Sequence, residues 1–267
     1  MRGVILAAGR GSRLRDVTGD RPKCLARVGD RTLLDRQIRS LRRCGIDEIA
    51  VVAGYHAADV RRACDPDIDL VVNARYEQTN SLYSLWLARD LLMEGFVVLN
   101  CDVLFHDQLL SDLLTARDED ALLMAATRGE VYSDEEMKIR VRAGCVAEIA
   151  KTLDPADTDG ENVGIAKFGA AGAAILVEEL TQALAGDGLR DWLPRAFAGF
   201  ARRRPLHIVE TRGFPWTEID LPEDYWRACA DVLPAIADPD AAGEPCQRLP
   251  RPRLAAAGRS RRTLHHV

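Results

Sequence analysis

At 267 residues, 47 % of them hydrophobic and 29 % charged, the chain can hold one large α/β domain and has an ordinary globular composition. A formal net charge of −5 argues against general nucleic-acid binding, and the longest apolar runs are strand-sized, too short for a membrane-spanning helix. No leader-like stretch precedes the first apolar run, so the expected location is the cytoplasm.

The first predicted element is a strand, Val4-Ile5-Leu6-Ala7-Ala8, whose unbroken apolar character suits burial on both faces. It breaks at Gly9-Arg10-Gly11-Ser12-Arg13, where small residues let backbone N–H groups approach a ligand and two guanidiniums add charge. Arg21-Pro22-Lys23 brings another cation behind a φ-fixing proline. Such a loop suits a polyphosphate. A dinucleotide-binding loop would need a glycine where Leu14 stands and an acidic residue ending the next strand, and a P-loop would need Gly-Lys-Ser/Thr. The run Leu6-Ala7-Ala8-Gly9-Arg10-Gly11-Ser12-Arg13-Leu14, with Pro22-Lys23-Cys24-Leu25, instead resembles the signature of the nucleotidyltransferase family typified by sugar-1-phosphate nucleotidylyltransferases.

Downstream, Leu33, Leu34, Ile38 and Leu41 lie at helical spacing, and Gly45 ends that helix. Ile49-Ala50-Val51-Val52-Ala53 and Leu70-Val71-Val72 are strands separated by a short helix ending near Ala63. Strands alternating with helices imply βαβ units, with the ligand crevice at the carboxyl ends of the strands. From Ser81 an amphipathic helix carries Leu82, Leu85, Ala88 and Leu92 on one stripe. Asn80 either caps this helix or meets a nucleobase at the crevice rim.

Phe96-Val97-Val98-Leu99-Asn100-Cys101 is a fourth strand, and Asp102 sits just past its end, where a Mg²⁺ ligand or a helix cap belongs. A helix follows at 109–114 and a strand at 122–125. Residues 137–141 and 146–149 read as a hairpin turning at Arg142-Ala143-Gly144, with Lys151 after it. Strands are expected at 163–168, 173–177 and 206–209, with helices around 180–184 and 192–200. Asp220 in Trp216-Thr217-Glu218-Ile219-Asp220 precedes a last helix whose first turn holds Pro222; it is a cap or a metal ligand. Beyond about Pro239 proline, alanine and arginine dominate, so 239–267 is expected to be a disordered tail. The seven cysteines lack Cys-x-x-Cys spacing and read as reduced thiols.

The resemblance spans roughly residues 1–233 and implies a Rossmann-like, mostly parallel sheet flanked by helices, a GT-A-like nucleotidyltransferase fold. It would occupy 1–238 and carry a β-rich acceptor-side insertion at 129–171. Thr79-Asn80-Ser81-Leu82-Tyr83-Ser84, Glu136-Met137-Lys138 and Gly160-Glu161-Asn162-Val163-Gly164 look like the branch that makes CMP-linked phosphocholine or phosphonate headgroups. The implied activity is transfer of CMP from CTP to phosphocholine or a phosphonate such as 2-aminoethylphosphonate, releasing pyrophosphate. The alternatives are a sugar-1-phosphate nucleotidylyltransferase and an inactive nucleotide-sensing homologue. By the same resemblance Leu6, Ala8, Gly9, Gly11, Ser12, Arg13, Lys23, Asn80 and Ser84 would bind nucleotide. Arg13, Lys23 and Lys151 would be catalytic, and Asp102 and Asp220 would hold Mg²⁺. Lys138, Lys151, Glu161, Tyr83, Trp192 and Trp216 would meet the acceptor, aromatic faces and a carboxylate suiting a cationic amine. The expected partners are these small molecules, with no nucleic acid or membrane; a homodimer is compatible.

Overall fold

Alternate residues of the first strand, β1 (Arg2–Ala7), feed two different cores. Ile5 and Ala7 pack on one side of the sheet, Val4 and Leu6 on the other. The computed structural model describes residues 1–126, 132 and 135–236; the tail expected at 239–267 and the start of the expected insertion lie outside the described residues. The ladder β2 (Arg27–Val28) and β3 (Arg31–Thr32) follows, then β4 (Ile49–Ala53), β5 (Asp69–Val72), β6 (Phe96–Asn100) and β7 (Val103–Phe105). The remaining strands are β8 (Ala121–Ala125), β9 (Lys138–Arg142), β10 (Cys145–Ala150), β11 (Gly160–Phe168), β12 (His207–Glu210) and β13 (Trp216–Glu218).

Among the described residues nine strands form one sheet in the order β5-β4-β1-β6-β11-β8-β12-β10-β9. The β5-β4-β1-β6 half is parallel, as the βαβ pattern demands. Beyond β6 the sheet turns mixed: β11 runs antiparallel to β6 and β8, and the predicted hairpin is β9–β10. The helix Leu33–Arg43 covers one face through Leu34, Ile38 and Leu41, and Ser81–Leu87 covers the other through Leu82 and Leu85.

One expected strand is corrected. Residues 173–177 belong to the helix Ala170–Ala185. The run Ala173-Ala174-Ile175-Leu176-Val177 has strand-like length, but the buried positions are Ala173, Leu176 and Leu180, a helical stripe. Asp120 accepts the backbone N–H of Gly169 at 3.1 Å, at the residue that begins this helix.

A third apolar cluster joins the C-terminal helices to the glycine-rich loop. It contains Leu14, Ala26, Val28, Leu33, Leu104, Ile219, Tyr225, Ala228 and Val232. Leu14 follows Arg13, and Ile219 stands between Glu218 and Asp220, so this packing brings Arg13 and the two carboxylates to one rim.

Candidate active site

The carboxyl ends of β1 and β6, the loop after β5 and the residues following β13 border a cleft of about 390 Å³. Its position is that expected for a parallel α/β sheet. Gly9, Gly11, Ser12, Arg13 and Lys23 line it on the glycine-rich side. Gly11 has φ +64°, and a Cβ there would lie 2.7 Å from Lys23 Cβ, so the loop and the lysine stem pack without room for a side chain.

Lys23 is the charged centre. Only 8 % exposed, it donates to Asp102 Oδ2 at 2.8 Å and also to Asp220 Oδ1. Burial alone would lower its pKa, but the two carboxylates overcome that and hold the ammonium well above its usual range. Arg13 donates to the other oxygen of Asp220 at 3.0 Å. Burial works to raise the Asp220 pKa, and the Lys23 charge and hydrogen bond prevail to hold it below the ordinary carboxylate value.

Asp102 sits in the turn between β6 and β7, and the fold holds that turn from behind. Buried Gln37, on Leu33–Arg43, donates to Asn100 O at 2.8 Å and Val103 O at 2.9 Å, straddling the aspartate. The N–H of Ile219 donates to Asp102 O at 3.0 Å, tying Asp102 to the Asp220 segment. Thr217 and Ile219 are buried, so the two-residue period turns Glu218 and Asp220 to the opposite side, toward the cleft. Glu218 therefore completes a cluster in which one oxygen each of Asp102, Glu218 and Asp220 lie within 4.8 Å of one another. Glu218 opens to solvent through the cleft. Its protein surroundings first, and then the charges of Asp102 and Asp220, push its carboxyl up to about 8. Asp102 Oδ1 is buried and has no hydrogen-bond partner among the described residues. An oxygen-only donor set with an orphaned carboxylate oxygen fits a hard divalent cation such as Mg²⁺.

Across the cleft, Lys151 lies 3.4 Å from Glu135 and 4.5 Å above the centroid of the half-exposed Trp192 ring. Glu135 also faces Arg13 at 3.5 Å, linking the two walls. Leu6, Ala8, Asn80 and Ser84 also line the cleft. Asn80 both lines the cleft and caps its helix, its Oδ1 accepting from Ser81 N at 2.8 Å.

Four sequence expectations fall outside the lining. Lys138 is fully buried and gives its ammonium to Lys151 O at 2.6 Å, so it supports Lys151 rather than facing an acceptor. Tyr83 stacks on Trp86 with centroids 5.8 Å apart, and the Arg75 guanidinium lies over its ring at 5.6 Å. Trp216 pairs with Phe105 across β13–β7 and packs on a core cluster. Glu161 pairs in β11 against Ala125 and Lys138, and its charge acts on Glu218. Sequence reasoning missed Glu218, Asn100 and Asn162, all cleft-lining. Glu218 was within reach, since a strand ending at Asp220 places it on the same face.

Residues 3–200 match the MobA-like NTP transferase domain family. The chain is 34 % identical over 241 residues to a choline-phosphate cytidylyltransferase from Streptococcus pneumoniae, covering 87 % of this chain and 98 % of that one. It is 26 % identical over 184 residues to a CTP:phosphoglutamine cytidylyltransferase from Campylobacter jejuni, covering 63 % and 73 %. It spans about half (49 %) of a bifunctional IPC transferase and DIPP synthase from Rubrobacter xylanophilus, 34 % identical over 227 residues, or 83 % of this chain. The solved structure of the CTP:phosphocholine cytidylyltransferase from Streptococcus pneumoniae shares the fold, with a TM-score of 0.73 and 23 % identity over 85 % of this chain and 97 % of that one.

Proposed function

The chain belongs to the MobA-like NTP transferase family, and from that premise we propose that it is a Mg²⁺-dependent cytidylyltransferase moving CMP from CTP to a small phosphate or phosphonate headgroup. The observation that carries this reading is the meeting of Arg13 and Lys23 with Asp102, Glu218 and Asp220 in one cleft, opposite Lys151. The relatives' named activities supply the nucleotide and the class of acceptor.

The chemistry follows from charge. An acceptor phosphate has a second pKa near ~6, so at neutral pH it is already a dianionic nucleophile and needs no general base. Its oxygen forms a bond to the α-phosphorus of CTP while the bond from that phosphorus to the β-bridging oxygen breaks, and pyrophosphate leaves. The obstacle is the approach of two anions. Lys151 binds and orients the acceptor's oxygens, and the N–H groups of Gly9, Gly11 and Ser12 cradle the triphosphate. Arg13 and Lys23 neutralise the leaving group, so catalysis is positioning plus electrostatics. Asp102 and Asp220, with Glu218 beside them, would hold Mg²⁺, which supplies further neutralisation of phosphate charge when bound. A positive Lys151 over Trp192 marks an aromatic face that accepts cations, which suits an acceptor carrying an amine or trimethylammonium.

A pyrophosphate-release assay with CTP against phosphocholine, 2-aminoethylphosphonate and glucose 1-phosphate tests the acceptor class. The headgroups should react faster than the sugar phosphate. Preferential turnover of glucose 1-phosphate with UTP or dTTP would replace the headgroup reading with the sugar one. Lys151→Ala should raise the acceptor KM roughly tenfold, with little change in the KM for CTP. Equal effects on both substrates would remove Lys151 from the acceptor side.

The metal dependence has a defined pH direction. The Glu218 carboxyl, pushed up to about 8, competes for protons with any cation at the cluster. The Mg²⁺ concentration for half-maximal turnover should therefore fall as pH rises from about 6.5 to about 8.5. A requirement that is flat or rises over that range contradicts a carboxylate-held cation.

A further inference from the structure

At the end of the cleft away from the carboxylates, two hydroxyls have their protons already committed. Asn73 is 1 % exposed. Its Oδ1 accepts the N–H of Arg75 at 2.9 Å, which sets the orientation of the amide. The Nδ2 group must then face the other way, where it donates to Thr79 Oγ1 at 3.0 Å and Ser84 Oγ at 3.1 Å. Each hydroxyl passes its own proton to a backbone carbonyl, Thr79 to Arg75 O at 2.9 Å and Ser84 to Asn80 O at 3.2 Å.

A hydroxyl has one proton and two lone pairs. In both residues the proton is spent and one lone pair receives Asn73, so what remains is a single lone pair. Thr79 and Ser84 both line the cleft. This end of the cleft therefore presents acceptors. Asn73 follows β5 and Asp102 follows β6, separated by three strand spacings in β5-β4-β1-β6, or roughly 14 Å. A nucleoside triphosphate whose phosphates lie at Lys23 can place its base at Asn73.

Resting on the nucleotide-transfer reading above, we infer that Thr79 and Ser84, with their hydroxyls oriented by Asn73, select a 4-amino pyrimidine over a 4-keto pyrimidine. Cytosine's exocyclic amine donates to these lone pairs with the network unchanged. Uracil offers an oxygen at the same position. To meet it a hydroxyl must withdraw its proton from the backbone carbonyl, giving up a hydrogen bond that cytosine leaves intact. Thr79 and Ser84 are the selecting groups, and Asn73 is a positioning residue behind them.

Equilibrium binding of CTP and UTP, measured by calorimetry on the full chain without acceptor, separates this inference from the transfer reading. The wild type should bind CTP about tenfold or more tighter than UTP. Ser84→Ala and Thr79→Val should each narrow that ratio, chiefly by weakening CTP. Asn73→Leu should narrow it as well, by weakening CTP more than UTP, because the hydroxyls lose the donor that helps fix their free lone pairs toward the cleft; a merely structural role for Asn73 would weaken both nucleotides alike. Circular dichroism of each variant establishes that it is folded, and Ser84→Ala, a helix-compatible change, suffices if Asn73→Leu fails to fold. Equal binding of CTP and UTP by the wild type, or an unmoved ratio in folded Ser84→Ala and Thr79→Val, overturns the inference. Selective CTP binding without CMP transfer would uphold it while overturning the transfer reading.

Discussion

Asp102→Asn is expected to lower kcat by about 10²–10³-fold or more while leaving the fold intact. The substitution keeps the shape of the side chain and removes its charge. In the native cleft that charge faces the Lys23 ammonium at 2.8 Å, and its second oxygen is buried with no hydrogen-bond partner among the described residues. Lys23 retains Asp220 in the variant, and the turn is still held by Gln37 and Ile219 through backbone atoms. Stability should thus change little, and the loss should fall on turnover and on the response to Mg²⁺. Kinetics over a Mg²⁺ series, with a melting curve as control, make the test. Near-wild-type activity in Mg²⁺ would remove Asp102 from the site.

The largest stability effect should come from a residue remote from the chemistry. Asp120 is 2 % exposed, and its carboxylate accepts from Arg204 Nε and from the Gly169 N–H at 3.1 Å. It thereby joins β8, the loop after Pro194–Ala201 and the start of Ala170–Ala185. The neighbouring Gly172 is shaped to it, since a Cβ there would lie 1.8 Å from Asp120 Oδ1. Asp120→Ala removes two hydrogen bonds to a charged group, each worth about 1.5–3 kcal/mol. Arg204 is one-third exposed and can turn to water, so a total near the lower end, about 3 kcal/mol, is expected. In a domain of this size that corresponds to a fall in Tm of roughly 6–12 °C. A shift below about 2 °C would mean that the helix start is held by other contacts. CTP binding by the folded variant should be close to wild type.

The parallel half of the fold was legible because its strands are buried on both faces and read as apolar runs, each followed by a helical stripe. The glycine-rich loop and Lys23 were legible because their spacing is local, and Asp102 and Asp220 because of the strand ends and family-like motif they sit in; that all of them meet at one point, 79 and 197 residues from Lys23, is a property of the fold. What escaped depends on distance along the chain. Lys138 looked like a cation for an acceptor, but whether a lysine faces a cleft or a carbonyl depends on the partner strand. Trp216 and Tyr83 are aromatic at positions where only packing decides between a cage and a core. The strand expected at 173–177 failed because a short run of alanine, isoleucine and valine carries no period of its own. The capping partner of its helix, Asp120, lies some fifty residues away. Asn73 gave no signal at all, since its role exists only through Thr79, Ser84 and Arg75 held around it.

Phosphorus-31 NMR of the full chain incubated with CTP, Mg²⁺ and 2-aminoethylphosphonate, and in parallel with phosphocholine, tests the central claim most directly. It resolves both phosphorus atoms of the product. CMP transfer predicts that the acceptor resonance is replaced by a pair of mutually coupled signals from a phosphonate–phosphate or phosphate–phosphate anhydride, with stoichiometric pyrophosphate and no free CMP. Consumption of CTP to pyrophosphate and CMP with both acceptors unchanged, or no consumption of CTP with either, would contradict it.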